Sequence, residues 1–280
     1  MQELAAIIND RDGNEITKAK EALLALQRAA ASIDEMKGAV GAFMMLTPIA
    51  PVFVSSPQRL FRALPFGQGE ACAKVQRMSY PPQDLTRQGR ANRPKQQVLY
   101  VSTSPVVAVL EAQVAIGQHF VIAEYVIEQT LVLTHAGVYN STSRDPISTM
   151  AKEVGRGLHK HLNEFGRQNL HEASRWLGEL FRSEDRTYYP LTTALAESLL
   201  TPTDGLIFPS LHEYRQYNIV LNTAAADQKL RQLKHWHGVL NGKEPANGEG
   251  GIQSSLYDHS VEIDGDTIKW TGQTPTVMPT

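Results

Sequence analysis

One cysteine, Cys72, stands in a chain of 280 residues, so no internal disulfide forms and no Cys/His zinc spacing exists. That scarcity fits a reducing compartment. An excess of charge of either sign is also lacking. With 27 Lys and Arg against 29 Asp and Glu, the formal net charge is -2, and nothing global draws the chain to nucleic acid or an anionic membrane. Long hydrophobic runs are absent too. The most apolar stretch, Gly38 to Val54, is interrupted by Pro48 and Pro51 and is too short for a membrane span; a buried or partner-facing segment is expected there. The N-terminus carries early acidic residues and no sustained apolar run, so it does not read as a secretory signal. No internal repeat is present.

What remains is ordinary globular material. Hydrophobic residues make up 42% and charged residues 20%, which suits a folded chain and not a disordered one. The length allows one large domain, or one domain with a smaller appendage. Leu23, Leu26, Ala30 and Ile33 recur at helical spacing and predict a helix from about Ile16 to Met36. Val98 to Ser102 reads as a short strand. Ser104 and Pro105 then supply an N-cap and a first-turn proline for a helix reaching about Gly117. The β-branched and aromatic runs 119–128 and 130–136 predict two strands. Helices are expected over about Ile147–Phe165, Glu172–Arg182 and Thr192–Leu200, then strands at 205–210 and 217–223. Ala224 to Leu240 reads as helix. A Gly-rich stretch precedes a hairpin expected around Asp264-Gly265.

Polar groups that sit at element edges are candidates for chemistry. Arg62 follows a Pro-containing approach, Arg90 and Asn92 lie in Gly89-Arg90-Ala91-Asn92, and Ser210 ends the GLIF strand. Glu111 has the strongest independent case. It sits among Val107, Val109, Leu110, Val114 and Ile116, where a carboxylate either faces water or must meet a cation or a hydrogen-bond donor. Other motifs fall away. DRDGNEI at 10–16 places Ile8 and Ala19 at calcium-ligand positions, and GQGEA at 67–71 lacks a strand–helix context. His235 and His237, read on a helix, diverge and lack a third ligand, so no metal is assigned. Cys72 reads as a small buried thiol.

Taken in order, FRA at 61–63, GRAN at 89–92, VLYVSTSPVVAVLEA at 98–112, YPLTTALAESLLTPTDGLIFPS at 189–210 and YNIVLNT at 217–223 resemble the RES domain family, named for its Arg, Glu and Ser. The likeness runs from about Gln58 to Thr223. It departs at Ala63, where the family often has an aromatic residue. The resemblance implies an α+β fold similar to ADP-ribosyltransferases, with a mixed sheet and flanking helices. A helical N-terminal extension and linker would occupy 1–57, the catalytic domain 58–223, and a C-terminal helix with a hairpin tail 224–280.

Characterised members of that family are bacterial toxins that deplete NAD by hydrolysis or phosphorolysis. The resemblance therefore implies Glu111, Arg62 and Ser210 as catalytic residues and Arg62, Arg90, Asn92 and Tyr100 in NAD binding. Arginine forks suit a pyrophosphate, and a carboxylate near the ribose suits an oxocarbenium-like transition state. NAD would be substrate and not cofactor, with phosphate as a possible co-substrate. An antitoxin or immunity protein is the implied partner, with homo-oligomers also open, and neither nucleic acid nor membrane is expected. The implied location is the cytoplasm of the producing cell, or of a target cell if the chain is delivered. A macromolecule-modifying ADP-ribosyltransferase and a non-catalytic binding module of the same fold are the competing expectations.

Overall fold

The computed structural model describes residue 2 and residues 13–47, 49–67, 72–138, 146–212, 216–243 and 252–272. The start of the calcium-like segment, most of GQGEA and the Gly-rich stretch lie outside the described residues. The protein is α+β. By compactness it divides into two units, which alternate along the sequence: Met1–Val54 with Gln83–Gln96 and Val132–Pro209, and Ser55–Pro82 with Gln97–Leu131 and Ser210–Thr280.

The first unit opens with α1 (Gly13–Arg28) and α2 (Ile33–Leu46), where one helix from Ile16 to Met36 was expected. Ala30 adopts φ +54°, which ends the first helix. Ser32 starts the second, accepting from the Glu35 backbone while the Glu35 carboxylate accepts from the Ser32 N–H at 2.7 Å, a reciprocal capping box. Three strands follow in this unit, β1 (Val52–Val54), β5 (Leu131–His135) and β6 (Gly205–Pro209), side by side in the order β1-β5-β6. β5 and β6 run parallel, with Thr134 opposite Leu206. The crossover between them contains α4 (Pro146–His159), α5 (Glu164–Phe181) and α6 (Tyr189–Leu200). The helices expected at 147–165 and 172–182 are thus divided earlier, at Asn163, whose side chain caps the Gly166 N–H at 2.7 Å.

The second unit is an antiparallel sheet in the order β7-β3-β2-β4-β8-β9-β10. Its strands are β2 (Arg59–Phe66), β3 (Val98–Ser102), β4 (His119–Ile127), β7 (Tyr217–Asn222), β8 (Leu230–Lys243), β9 (Ile252–Asp264) and β10 (Thr267–Trp270). The short helix α3 (Pro105–Glu111) packs on β2, β3 and β4, and α7 (Thr223–Lys229) leads into β8. Phe61, Ala63, Val109, Phe120, Ile122 and Trp236 share one apolar core.

Two expectations are corrected in this unit. The helix from Ser104 stops at Glu111 and not near Gly117, because Gln113 takes φ +54° and turns the chain. Residues 230–243 form a strand and not the helix expected to Leu240: β8 pairs with β4, His237 opposite Val121, and with β9, Trp236 opposite His259. Pairing on both edges outweighs local helical spacing. The hairpin is present, with Gly265-Asp266 as its two turn residues and Gly265 at φ +58°, a conformation glycine adopts without strain.

Candidate active site

Glu111 is the last residue of α3, and the sequence places it there for a local reason. Pro105 fixes the first turn, and Val107, Ala108, Val109 and Leu110 are all buried, so the helix is held firmly against the sheet and its end is positioned. Helix C-termini disfavour a carboxylate, and donors compensate. Glu111 Oε1 accepts from Ser210 Oγ at 2.8 Å, from the Leu211 backbone N–H at 3.0 Å and from Asn218 Nδ2 at 2.7 Å. Hydrogen bonds to a charged group contribute about 1.5–3 kcal/mol each, so three on one oxygen fix the carboxylate tightly.

The donors are themselves held. Ser210 is 1% exposed, its backbone N–H donates to Gln216 O at 2.9 Å, and its Oγ accepts from the His212 N–H at 3.1 Å. Asn218 on β7 lies opposite Ser102 on β3, and Ser102 Oγ donates to Asn218 Oδ1 at 2.6 Å. That bond orients the amide, with its NH2 end toward Glu111. A chain of donors runs from Ser102 through Asn218 to the carboxylate.

Arg62 lies on β2, opposite Ala123 of β4. Its Nη1 donates to the Tyr100 carbonyl on β3 at 3.1 Å. Its Nε is buried with no hydrogen-bond partner, and among the described residues no carboxylate pairs with the guanidinium. Burial pushes its pKa below the usual arginine range, with the Tyr125 hydroxyl opposing the shift; the group stays cationic. A buried cation without a counter-ion is costly, and an anionic ligand offsets that cost. Tyr125 is buried and donates to Met78 O at 2.6 Å, and burial raises its pKa. Ala63, one residue along β2, points into the apolar core and is 6% exposed. The ring contact that an aromatic would make at this position is therefore missing.

The expected site residues thus fall into groups. Glu111 and Ser210 touch directly, and Arg62 touches Tyr100 through the latter's backbone, all within the second unit. Arg90 and Asn92 belong to the first unit. Asn92 is 2% exposed and its Nδ2 faces the carbonyls of Arg87, Arg93 and Gln96 at 2.9, 2.8 and 3.4 Å. The role visible for Asn92 is to hold the loop that carries Arg90. In the same unit Arg93 pairs with Glu197 and with Asp34, which lowers the Asp34 pKa well below the carboxylate norm. Sequence reasoning missed Asn218 and the Leu211 N–H. A signal for Asn218 existed, an amide in the otherwise apolar run Tyr217–Leu221.

Among the described residues no cluster of three or more His, Cys, Asp or Glu is arranged to hold a metal. No described helix is long and apolar enough to cross a membrane.

No curated protein matches the chain. Of solved structures, a chain in the crystal structure of the M. tuberculosis MbcT-MbcA toxin-antitoxin complex aligns over 74% of this chain and 86% of its own length, at 11% identity and a TM-score of 0.35. A family model, the RES domain, matches residues 59–241. It spans both Arg62 and Ser210, Glu111 and the β7 strand, and runs through most of β8. The chain belongs to the RES domain family.

Proposed function

We propose that this protein cleaves the nicotinamide–ribose bond of NAD and acts as a toxin by depleting it. The observation that carries the reading is the Glu111 carboxylate, fixed through one oxygen by Ser210, Leu211 and Asn218. Cleavage of a glycosidic bond develops positive charge on the ribose, and a fixed anion stabilises that charge without reorganising. In the step, the C1′–N bond breaks and its electron pair neutralises the pyridinium nitrogen, so nicotinamide leaves without needing a proton. Water, or phosphate, adds its oxygen to C1′. With water the products are ADP-ribose, nicotinamide and one proton.

Arg62 supports the same reading as the group for a substrate anion, since its buried Nε has no hydrogen-bond partner among the described residues. Bidentate contact with a pyrophosphate suits it. Tyr100, on β3 of the same unit, is a contact to the nicotinamide end in this account. Ser210 and Asn218 act as positioning residues for Glu111. NAD is the substrate and no resident cofactor is invoked. A toxin of this kind requires a neutralising protein in the cell that makes it, and an antitoxin or immunity protein is proposed as its partner.

Incubating the purified chain with NAD, with and without phosphate, tests the proposal. Nicotinamide should appear in both or in one, with ADP-ribose or ADP-ribose 1″-phosphate as the second product. Label transferred from NAD to a macromolecule instead would replace depletion with ADP-ribosyl transfer.

A further inference from the structure

His235 and His237 diverge if read on a helix, but β8 is a strand, where residues two apart point to one face. Both rings lie beside Trp270 of β10, at centroid distances of 6.4 and 6.2 Å. They differ in setting. His235 is fully buried and its Nε2 lies 2.8 Å from Gln232 Oε1. His237 is half-buried and meets a second imidazole: His119 Nδ1, from the start of β4, lies 3.2 Å from His237 Nε2.

We propose that His119 and His237 form a two-imidazole site for a borderline divalent transition metal such as zinc. Two nitrogens each about 2.0–2.1 Å from one tetrahedral zinc lie about 3.3–3.4 Å apart, close to the 3.2 Å that separates this pair. The geometry comes from rigid elements. His237 is opposite Val121 and His119 opposite Val239 on adjacent antiparallel strands, so the two are diagonal neighbours within reach of long side chains.

Two features around the pair favour a cation there. Asp258 on β9 lies opposite His237 and places a carboxylate on the neighbouring strand. Its Oδ1 is anchored by the His259 and Gly272 N–H groups and by Thr271 Oγ1 at 2.7, 3.1 and 2.6 Å. Both rings are half-buried, which leaves room for solvent to complete the coordination. Without metal the pair shares an N–H···N hydrogen bond. Coordination moves that proton to the other nitrogen of its ring and releases none.

His119 lies opposite Phe66, four residues along β2 from Arg62, and the proposal does not depend on the NAD reading. Zinc titration of the full chain by calorimetry tests it. One saturable zinc per chain is expected, weakened at least tenfold by His119→Gln or His237→Gln and unchanged by His171→Gln, an exposed histidine on α5. In the unaltered chain, imidazole nitrogen resonances give an independent reading: those of His119 and His237 should shift together on zinc addition. Absence of saturable binding, or shifts confined to other histidines, overturns the proposal and leaves the pair as a hydrogen bond.

Discussion

Asn218 connects two hydroxyl-and-amide contacts to the Glu111 carboxylate, accepting from Ser102 and donating onward. Groups linked in series lose more than their separate parts when one is removed. Asn218→Ala should therefore cost about 1–3 kcal/mol of stability and lower NAD turnover about tenfold, equivalent to roughly 1.4 kcal/mol of transition-state stabilisation. Denaturant unfolding of Ser102→Ala, Asn218→Ala and the double variant should show a coupling of about 0.5–3 kcal/mol; strict additivity would argue against the relay. A second prediction concerns His135, 1% exposed at the end of β5, where burial lowers its pKa to about 3. The unfolded chain, with a histidine pKa near 6.5, binds a proton between those values that the native chain does not. Stability contributed by this group is full above about pH 6.5 and is lost as pH falls through that window. His235, lowered by burial to about 4, acts in the same direction. His135→Gln should reduce the acid-side slope of stability against pH by up to about 1.4 kcal/mol per unit, read from urea midpoints between pH 4 and 7.

Among the described glycines, Gly137 just past β5 has the closest backbone approach. It has φ +74°, and a Cβ there would lie 2.3 Å from Gly178 Cα on α5. Gly137→Ala combines a left-handed conformation with backbone overlap and should cost about 3 kcal/mol or more, seen as a clear fall in Tm. The same elements show what the amino-acid order made visible. β3 to β7 were legible because their apolar and β-branched runs are short and bounded by turns. β8 was hidden because Leu230, Leu233, Trp236 and Leu240 recur near helical spacing, and only β4 and β9 on either side decide the matter. The break between α1 and α2 was written locally, in Ser32 and Glu35. Glu111 stood out because a carboxylate in so apolar a helix requires partners. Ser210 stood out too, at a strand end and in the ordered motifs, but Asn218 did not, since an Asn in a strand reads as a solvated edge.

For the chain as a molecule, the family match over residues 59–241 and the Glu111 hydrogen bonds rest on independent grounds, sequence in one case and interatomic distances in the other. The matched residues 59–241 include Glu111. The most direct measurement is NAD consumption by the folded chain beside Glu111→Gln, with circular dichroism confirming equal folding. The account predicts steady nicotinamide release by the unaltered chain and a loss of at least a hundredfold, about 2.7 kcal/mol, in the variant. Equal rates for the two proteins, or no NAD loss by the unaltered chain with or without phosphate, would contradict it.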